Sequence, residues 1–168
     1  MRSGSEVRSS GQIIVHPTAI VDPDAELGEG VEVGPYTCIA GTVRIGARTL
    51  IGPRITIEGH TVIGCDNEIF TGAVIGSRTQ DKKYAGGTSF LKIGDHNKIR
   101  EYVTINPGTR EGTETVIGNG NLFMAYSHVA HDCIVGNGVI LANCVALAGH
   151  VEAGDYSVFG GLSAIHQY

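Results

Sequence analysis

Tryptophan is absent from the 168 residues, and Phe and Tyr together number only ten. A core built here must be narrow, filled by small and branched aliphatic side chains. Basic residues are also few: 12 Lys and Arg stand against 17 Asp and Glu, a formal charge of −5. Phosphate neutralisation needs a basic face, so no nucleic-acid partner is expected. Long hydrophobic runs are missing. The longest nearly uncharged apolar stretch, Val139 to Gly149, is too short to cross a bilayer, so no transmembrane segment is expected. The N-terminal segment from Met1 to Ser10 holds no apolar h-region and does not read as a secretory signal. The four cysteines, Cys38, Cys65, Cys133 and Cys144, lack C-x-x-C spacing, which indicates neither a zinc knuckle nor a disulfide framework. A reducing, cytoplasmic setting is the simplest expectation. One residue is in surplus: the 25 glycines are roughly double the usual share.

The surplus has an order. Stepping by six from Val15 to Ile165 gives 26 positions, and 23 of them are apolar. The exceptions are Asp81, Gly87 and Glu111. Glycine often follows the apolar position, as at Gly28, Gly46, Gly64, Gly94, Gly118 and Gly136. A small or β-branched residue often stands two positions before it, as at Ala25, Val31, Thr37, Val43, Val139, Val145 and Ser163. Residues two apart on a strand share a face, so each hexapeptide reads as a short strand and a turn. A helix is excluded, because a period of six cannot hold a 3.6-residue stripe together. Three hexapeptides close one coil, and stacked coils form a solenoid. Residues Ser77 to Phe90 break the period with polar and charged side chains, and a shorter break spans Asn106 to Thr115. Solenoids place such excursions on one face, often the binding face.

Seven histidines are present. His16, His60 and His96 stand apart and read as ordinary surface residues. His128, His131, His150 and His166 surround Val129, Leu147 and Ile165, which recur at intervals of three hexapeptides. All four should therefore share one vertical edge, at outward strand or turn positions. Ile75, where the long loop leaves, falls on the same face as Val129. Titratable groups gathered beside an insertion are the default site. Clustered imidazoles suit two chemistries: zinc ligation with an open position, or general base catalysis near neutral pH. Cys133 precedes Val135 by two and is expected inside. A prism is convex and ligand sites are concave, so a cleft requires a neighbouring copy.

The motifs His128-Val-Ala-His131-Asp132-Cys133, Leu147-Ala-Gly149-His150, Gly160-Gly161 and His166-Gln167, with the loop Gln80-Asp81-Lys82-Lys83-Tyr84-Ala85-Gly86, closely resemble the UDP-N-acetylglucosamine acyltransferases that begin lipid A synthesis. The resemblance runs over about residues 12–168. It implies an all-β, left-handed parallel β-helix of hexapeptide repeats, a hand that spacing alone does not give. It implies transfer of a 3-hydroxyacyl chain from acyl carrier protein to the 3-hydroxyl of UDP-N-acetylglucosamine, in a homotrimer. No cofactor or metal is implied beyond the phosphopantetheine that carries the acyl donor. By the same resemblance, His131 is the general base, Asp132 orients it and Gly149 supplies an oxyanion N–H. Gln80, Asp81, Lys83, His128, His150, His166 and Gln167 would contact sugar, phosphate or nucleotide. The family often has His-Arg where this chain has Asn106-Pro107.

The domain plan expected is a flexible lead-in over 1–11 and a β-helix over 12–168. Tyr168 falls in the middle of a hexapeptide, so a fragment lacking the family's C-terminal helical domain is expected. Rival readings are the N-acyltransferase of the same pathway, a zinc hydratase similar to the gamma-class carbonic anhydrases, and a truncated scaffold that only trimerises. The Gln80-to-Lys83 loop and the His166-Gln167 pair favour the first reading over the N-acyltransferase.

Overall fold

The computed structural model describes residues 11–168. The expected lead-in lies outside the described residues except for Gly11, whose carbonyl accepts the Gly30 N–H at 3.1 Å and so joins the first coil. Twenty-three strands follow, and the last residue of each is one of the 23 apolar positions of the period of six. They sort into three parallel sheets of eight, eight and seven strands, each taking every third strand in turn. The period thus becomes a three-sided parallel β-helix. Strands pair in register from coil to coil, as Val33 with Ile51 and Ile51 with Ile69.

Most strands are only two residues long. The rest of each hexapeptide turns the corner. Many corners hold one non-glycine residue in the left-handed region, including Tyr36 (φ 59°), Asp66 (φ 57°), Asp132 (φ 58°) and His150 (φ 63°). Isolated visits of this kind are tolerated where packing and hydrogen bonds fix the turn around them. Three strands of the third sheet are longer, His60–Ile63, Phe90–Ile93 and Glu114–Ile117. The last two extend backwards into the excursions, which end slightly earlier than the sequence pattern suggests.

The core is a column of stacked aliphatic side chains on the prism axis, among them Ile57, Ile75, Ile105, Val129 and Leu147, all fully buried. Each is small enough to meet its neighbours one coil up and down, a spacing of about 4.8 Å. At one inner corner polar side chains join the stack. Asn97 donates from Nδ2 to Asn67 Oδ1 and to the Gly118 carbonyl, each at 3.0 Å, and its own Oδ1 accepts the Asn121 N–H at 2.9 Å. These bonds satisfy buried amides that would otherwise each cost about 1–3 kcal/mol.

The second sheet positions the site. Val74 and Ile75 pair with Thr104 and Ile105, which pair with His128 and Val129, then Ala146 and Leu147, then Ala164 and Ile165. Both excursions leave from the corner that follows this sheet, one and two coils above the His131 turn. They are knitted together by Gly108 N–H to the Phe90 carbonyl, Gly112 N–H to the Thr88 carbonyl, and Thr88 N–H to Glu111 Oε2. Among the described residues no helix is long and apolar enough to cross a membrane.

Candidate active site

Coil geometry assembles the site. His131 and Gly149 are three hexapeptides apart and occupy equivalent places in successive turns. So do Asp132 and His150. The corner therefore carries two columns, His131 above Gly149 and Asp132 above His150, tied by the His150 N–H to the His131 carbonyl at 3.0 Å. A side chain at position 149 would run into the column: a Cβ there would fall on Cε1 and Nε2 of the His131 ring and lie 2.9 Å from Nδ1. Glycine leaves room for the edge of the imidazole against the next coil. Among the described residues no acceptor takes the Gly149 N–H.

The sequence pattern places His131 outward, yet only 5 % of its surface is exposed. It does point away from the prism axis. The two excursions fold over it and bury it. Its Nδ1 meets Asp132 Oδ2 at 2.8 Å. A carboxylate can only accept, so Nδ1 carries the proton and Nε2 of the neutral ring holds the lone pair. Asp132 is held in turn: its own N–H donates to Thr115 Oγ1 at 2.8 Å, and its Oδ2 accepts the Thr109 N–H at 3.2 Å. The carboxylate is turned onto the imidazole, not back onto its own turn.

Asp81 arrives from the long loop. Its Oδ2 lies 3.7 Å from His131 Nε2 and accepts from Thr109 Oγ1 at 3.3 Å. Its Oδ1 accepts the Lys83 N–H at 2.9 Å. The backbone N–H of Lys83 above all holds the Asp81 carboxyl below its ordinary value. His150 stands edge-on to His131, with ring centres 5.1 Å apart, and its Nε2 is 3.9 Å from Asp132 Oδ2. Tyr168, one coil further, stacks on the His150 ring at 5.2 Å.

His128 joins the same face. Its Nδ1 shares a hydrogen with Thr104 Oγ1 at 2.7 Å, and burial pushes its pKa down, with His131 acting in the same direction. The remaining expected residues lie at the margin. Gln80 and Lys83 are exposed on the loop, and the Lys83 ammonium is at the surface while its N–H is engaged by Asp81. His166 is exposed on the correct corner, but its hydrogen bond goes to the Gln167 carbonyl, and no ring contact joins it to the other imidazoles. Cys133 is buried as expected. Burial pushes its thiol up to about 11, so it is no nucleophile at neutral pH. His60 packs on Phe90 and His16 bonds Thr18, both away from the cluster.

His131, Asp132 and His150 place ligand-type atoms within 4.8 Å of one another. One Asp132 oxygen, Oδ2, already accepts from both His131 Nδ1 and Thr109 N–H. The geometry of the set is that of a hydrogen-bonded dyad between His131 and Asp132. Sequence reading missed Thr109. A threonine in an irregular loop has no spacing signal, and only the meeting of the two excursions reveals it.

The chain is similar to known proteins over most of its length. Residues 114–149 match the bacterial transferase hexapeptide family (six repeats). The acyl-[acyl-carrier-protein]–UDP-N-acetylglucosamine O-acyltransferase of Janthinobacterium sp. is 55% identical over 156 residues, covering 92% of this chain and 60% of that protein. Its namesake in Helicobacter pylori is 50% identical, covering 90% of this chain and 56% of that protein. Among solved structures, LpxA of Acinetobacter baumannii superposes with a TM-score of 0.89 at 45% identity, again over 92% of this chain and 60% of the other. The chain thus spans about three fifths of the relatives it matches. It shares the left-handed parallel β-helix of hexapeptide repeats with these proteins and is similar to UDP-N-acetylglucosamine O-acyltransferases over about three fifths of their length.

Proposed function

We propose that the chain carries the acyl-transfer site for the first step of lipid A synthesis, moving a 3-hydroxyacyl group from acyl carrier protein to the 3-hydroxyl of UDP-N-acetylglucosamine. The observation that carries this reading is the buried His131–Asp132 pair, with one ring nitrogen bonded to carboxylate and the other facing the loop side of the site. Nε2 of His131 takes the proton of the sugar hydroxyl, and the oxygen attacks the thioester carbon. The imidazolium that forms is stabilised by Asp132, in the logic of acyl-transfer triads. Negative charge on the thioester oxygen is met by the Gly149 N–H, which has no acceptor among the described residues. When the C–S bond breaks, the proton on Nε2 passes to the departing phosphopantetheine sulfur. The sugar hydroxyl gives its one hydrogen to Nε2, and Asp81 Oδ2, 3.7 Å from that nitrogen, is placed to accept from a neighbouring O–H or N–H of the sugar.

Around this centre, Asp81, Gln80, His128, His150 and Gln167 contact sugar or phosphate, and His166 lines the nucleotide side. Lys83 serves the diphosphate as a point charge. The test is acyl transfer from 3-hydroxyacyl carrier proteins to UDP-N-acetylglucosamine, with a chelator present throughout. Turnover is expected, and a dependence on added zinc would overturn the base role in favour of the hydratase-like reading.

The site faces a homotrimer partner in this reading. Outward strand positions of the second sheet are Ile20, Cys38, Thr56, Val74, Thr104, His128, Ala146 and Ala164, all without formal charge. The other two sheets present Glu26, Glu32, Arg44, Glu68, Lys98 and Glu152 at the same position. The uncharged face borders the His131 corner, so a copy packed there turns a convex edge into a cleft. Sedimentation should give the mass of three chains, and Ala146→Lys should reduce it to one; a wild-type mass of one chain would refute the assembly. A cytoplasmic location belongs to the same reading and suits four free thiols.

A further inference from the structure

Thr109 touches both carboxylates that flank His131, through two different donors. Its N–H reaches Asp132 Oδ2 at 3.2 Å, and its hydroxyl reaches Asp81 Oδ2 at 3.3 Å. It is 4 % exposed, on the short excursion. Asp132 belongs to the coil, whereas Asp81 belongs to a long loop that has no strand of its own between Ile75 and Phe90. The imidazole lies between them, with Nδ1 on Asp132 and Nε2 3.7 Å from Asp81. Without a tie, a carboxylate on an irregular loop is free to adopt other rotamers.

We propose that Thr109 is a positioning residue that clamps the loop carboxylate of Asp81 over Nε2 of His131. It touches neither substrate nor the proton in transit. Its hydroxyl fixes which Asp81 oxygen faces the sugar, and its N–H references that position to the Asp132 that already orients the ring. The proposal deepens the acyl-transfer reading and rests on it for its kinetic consequence, while the clamp itself is a property of the loop.

Thr109→Val keeps shape and the backbone N–H and removes only the hydroxyl, and Thr109→Ser keeps the hydroxyl. The full chain, both variants, Asp81→Ala and the Thr109→Val, Asp81→Ala double variant are compared in two measurements. In acyl transfer, Thr109→Val is expected to lower kcat on the order of tenfold, the size of a lost hydrogen bond to a charged group. KM for the nucleotide sugar should change by less than about threefold, because the lost contact concerns alignment. Thr109→Ser should restore the rate, and Thr109→Val should add less than about twofold once Asp81 is Ala, since coupled residues are not additive. A full effect of Thr109→Val in the Asp81→Ala background, or no rescue by Ser, overturns the proposal. In limited trypsin digestion, cleavage after Lys82 and Lys83 should quicken in Thr109→Val and Asp81→Ala but not in Thr109→Ser. Should the unmutated chain show no acyl transfer, the functional reading fails, and the digestion alone decides the clamp: equal rates in wild type and Thr109→Val refute it.

Discussion

Replacing His131 by Ala is expected to lower acyl transfer by about 10²–10⁴-fold and to leave the β-helix and its oligomer intact. The two halves of this expectation have separate physical grounds. The loss follows from removing the imidazole that combines a carboxylate-bound Nδ1 with an Nε2 facing a second carboxylate. His150 cannot take over. Its Nε2 is 3.9 Å from Asp132, its side chain is 37 % exposed, and its ring is stacked against Tyr168. The fold persists because His131 is no part of the axial column. Its neighbours are Asp132, Asp81, Gly149 and His150 at a corner, while the core runs through Val129 and Leu147 beneath. Removal leaves Asp132 with the Thr109 N–H as partner, so the carboxylate is not orphaned. Circular dichroism and sedimentation check the structure, and the acyl-transfer assay checks the chemistry. A His131→Ala chain that turns over at the wild-type rate would end the base assignment.

Gly149→Ala is expected to cost nearly as much, from a change of one methyl group. The added carbon would occupy the position of the His131 ring edge, and Nδ1 would lie only 2.9 Å away. Backbone strain does not enter, because Gly149 is not among the positive-φ residues. The conflict is purely one of volume in a well-packed corner, which costs about 1–3 kcal/mol of stability. The ring must rotate or slide, and either movement lengthens the 2.8 Å bond to Asp132. A misplacement near ~1 Å at a reacting nitrogen lowers rate by about 10²-fold. The assay should show that loss with a thermal midpoint lower by roughly 2–12 °C, the shift such a stability loss produces in a chain of this size. A variant of wild-type rate would show that the ring tolerates displacement and that the close packing of His131 on Gly149 has no bearing on activity.

Much of the architecture is legible because a solenoid writes its period into the chain. Every strand ends on an apolar residue of the six-step series, from Val15 to Ile165, and the three gaps at Asp81, Gly87 and Glu111 lie in the excursions. The shared corner of His131, Gly149 and His150 follows from the same arithmetic, since three hexapeptides return the chain to one edge. Two things are not legible. The first is burial of His131: period arithmetic sends it outward, and only the folding of two irregular loops covers it. The second is Thr109, whose partners lie 28 residues earlier and 23 residues later, neither a whole number of hexapeptides. Irregular loops carry no periodic signal, and their contacts are set by tertiary packing. The marginal place of His166 is a milder case. Arithmetic puts it on the correct corner, but rotamer and neighbours decide what its ring touches.

The coil repeat also governs which length changes this chain can absorb. From Ile75 to Ile105 the second sheet advances five hexapeptides, from Ile105 to Val129 four, and from Val129 to Leu147 three. The surplus over three is taken up as bulges at a vertex, where segments of any length can be accommodated without disturbing the walls. Deleting a single hexapeptide between Asp132 and Gly149 has no such outlet. It would rotate everything downstream by a third of a revolution and carry the glycine to a different vertex from the imidazole it accommodates. Variation in this lineage should therefore accumulate as vertex insertions of arbitrary size, while the walls between them gain or lose whole revolutions only.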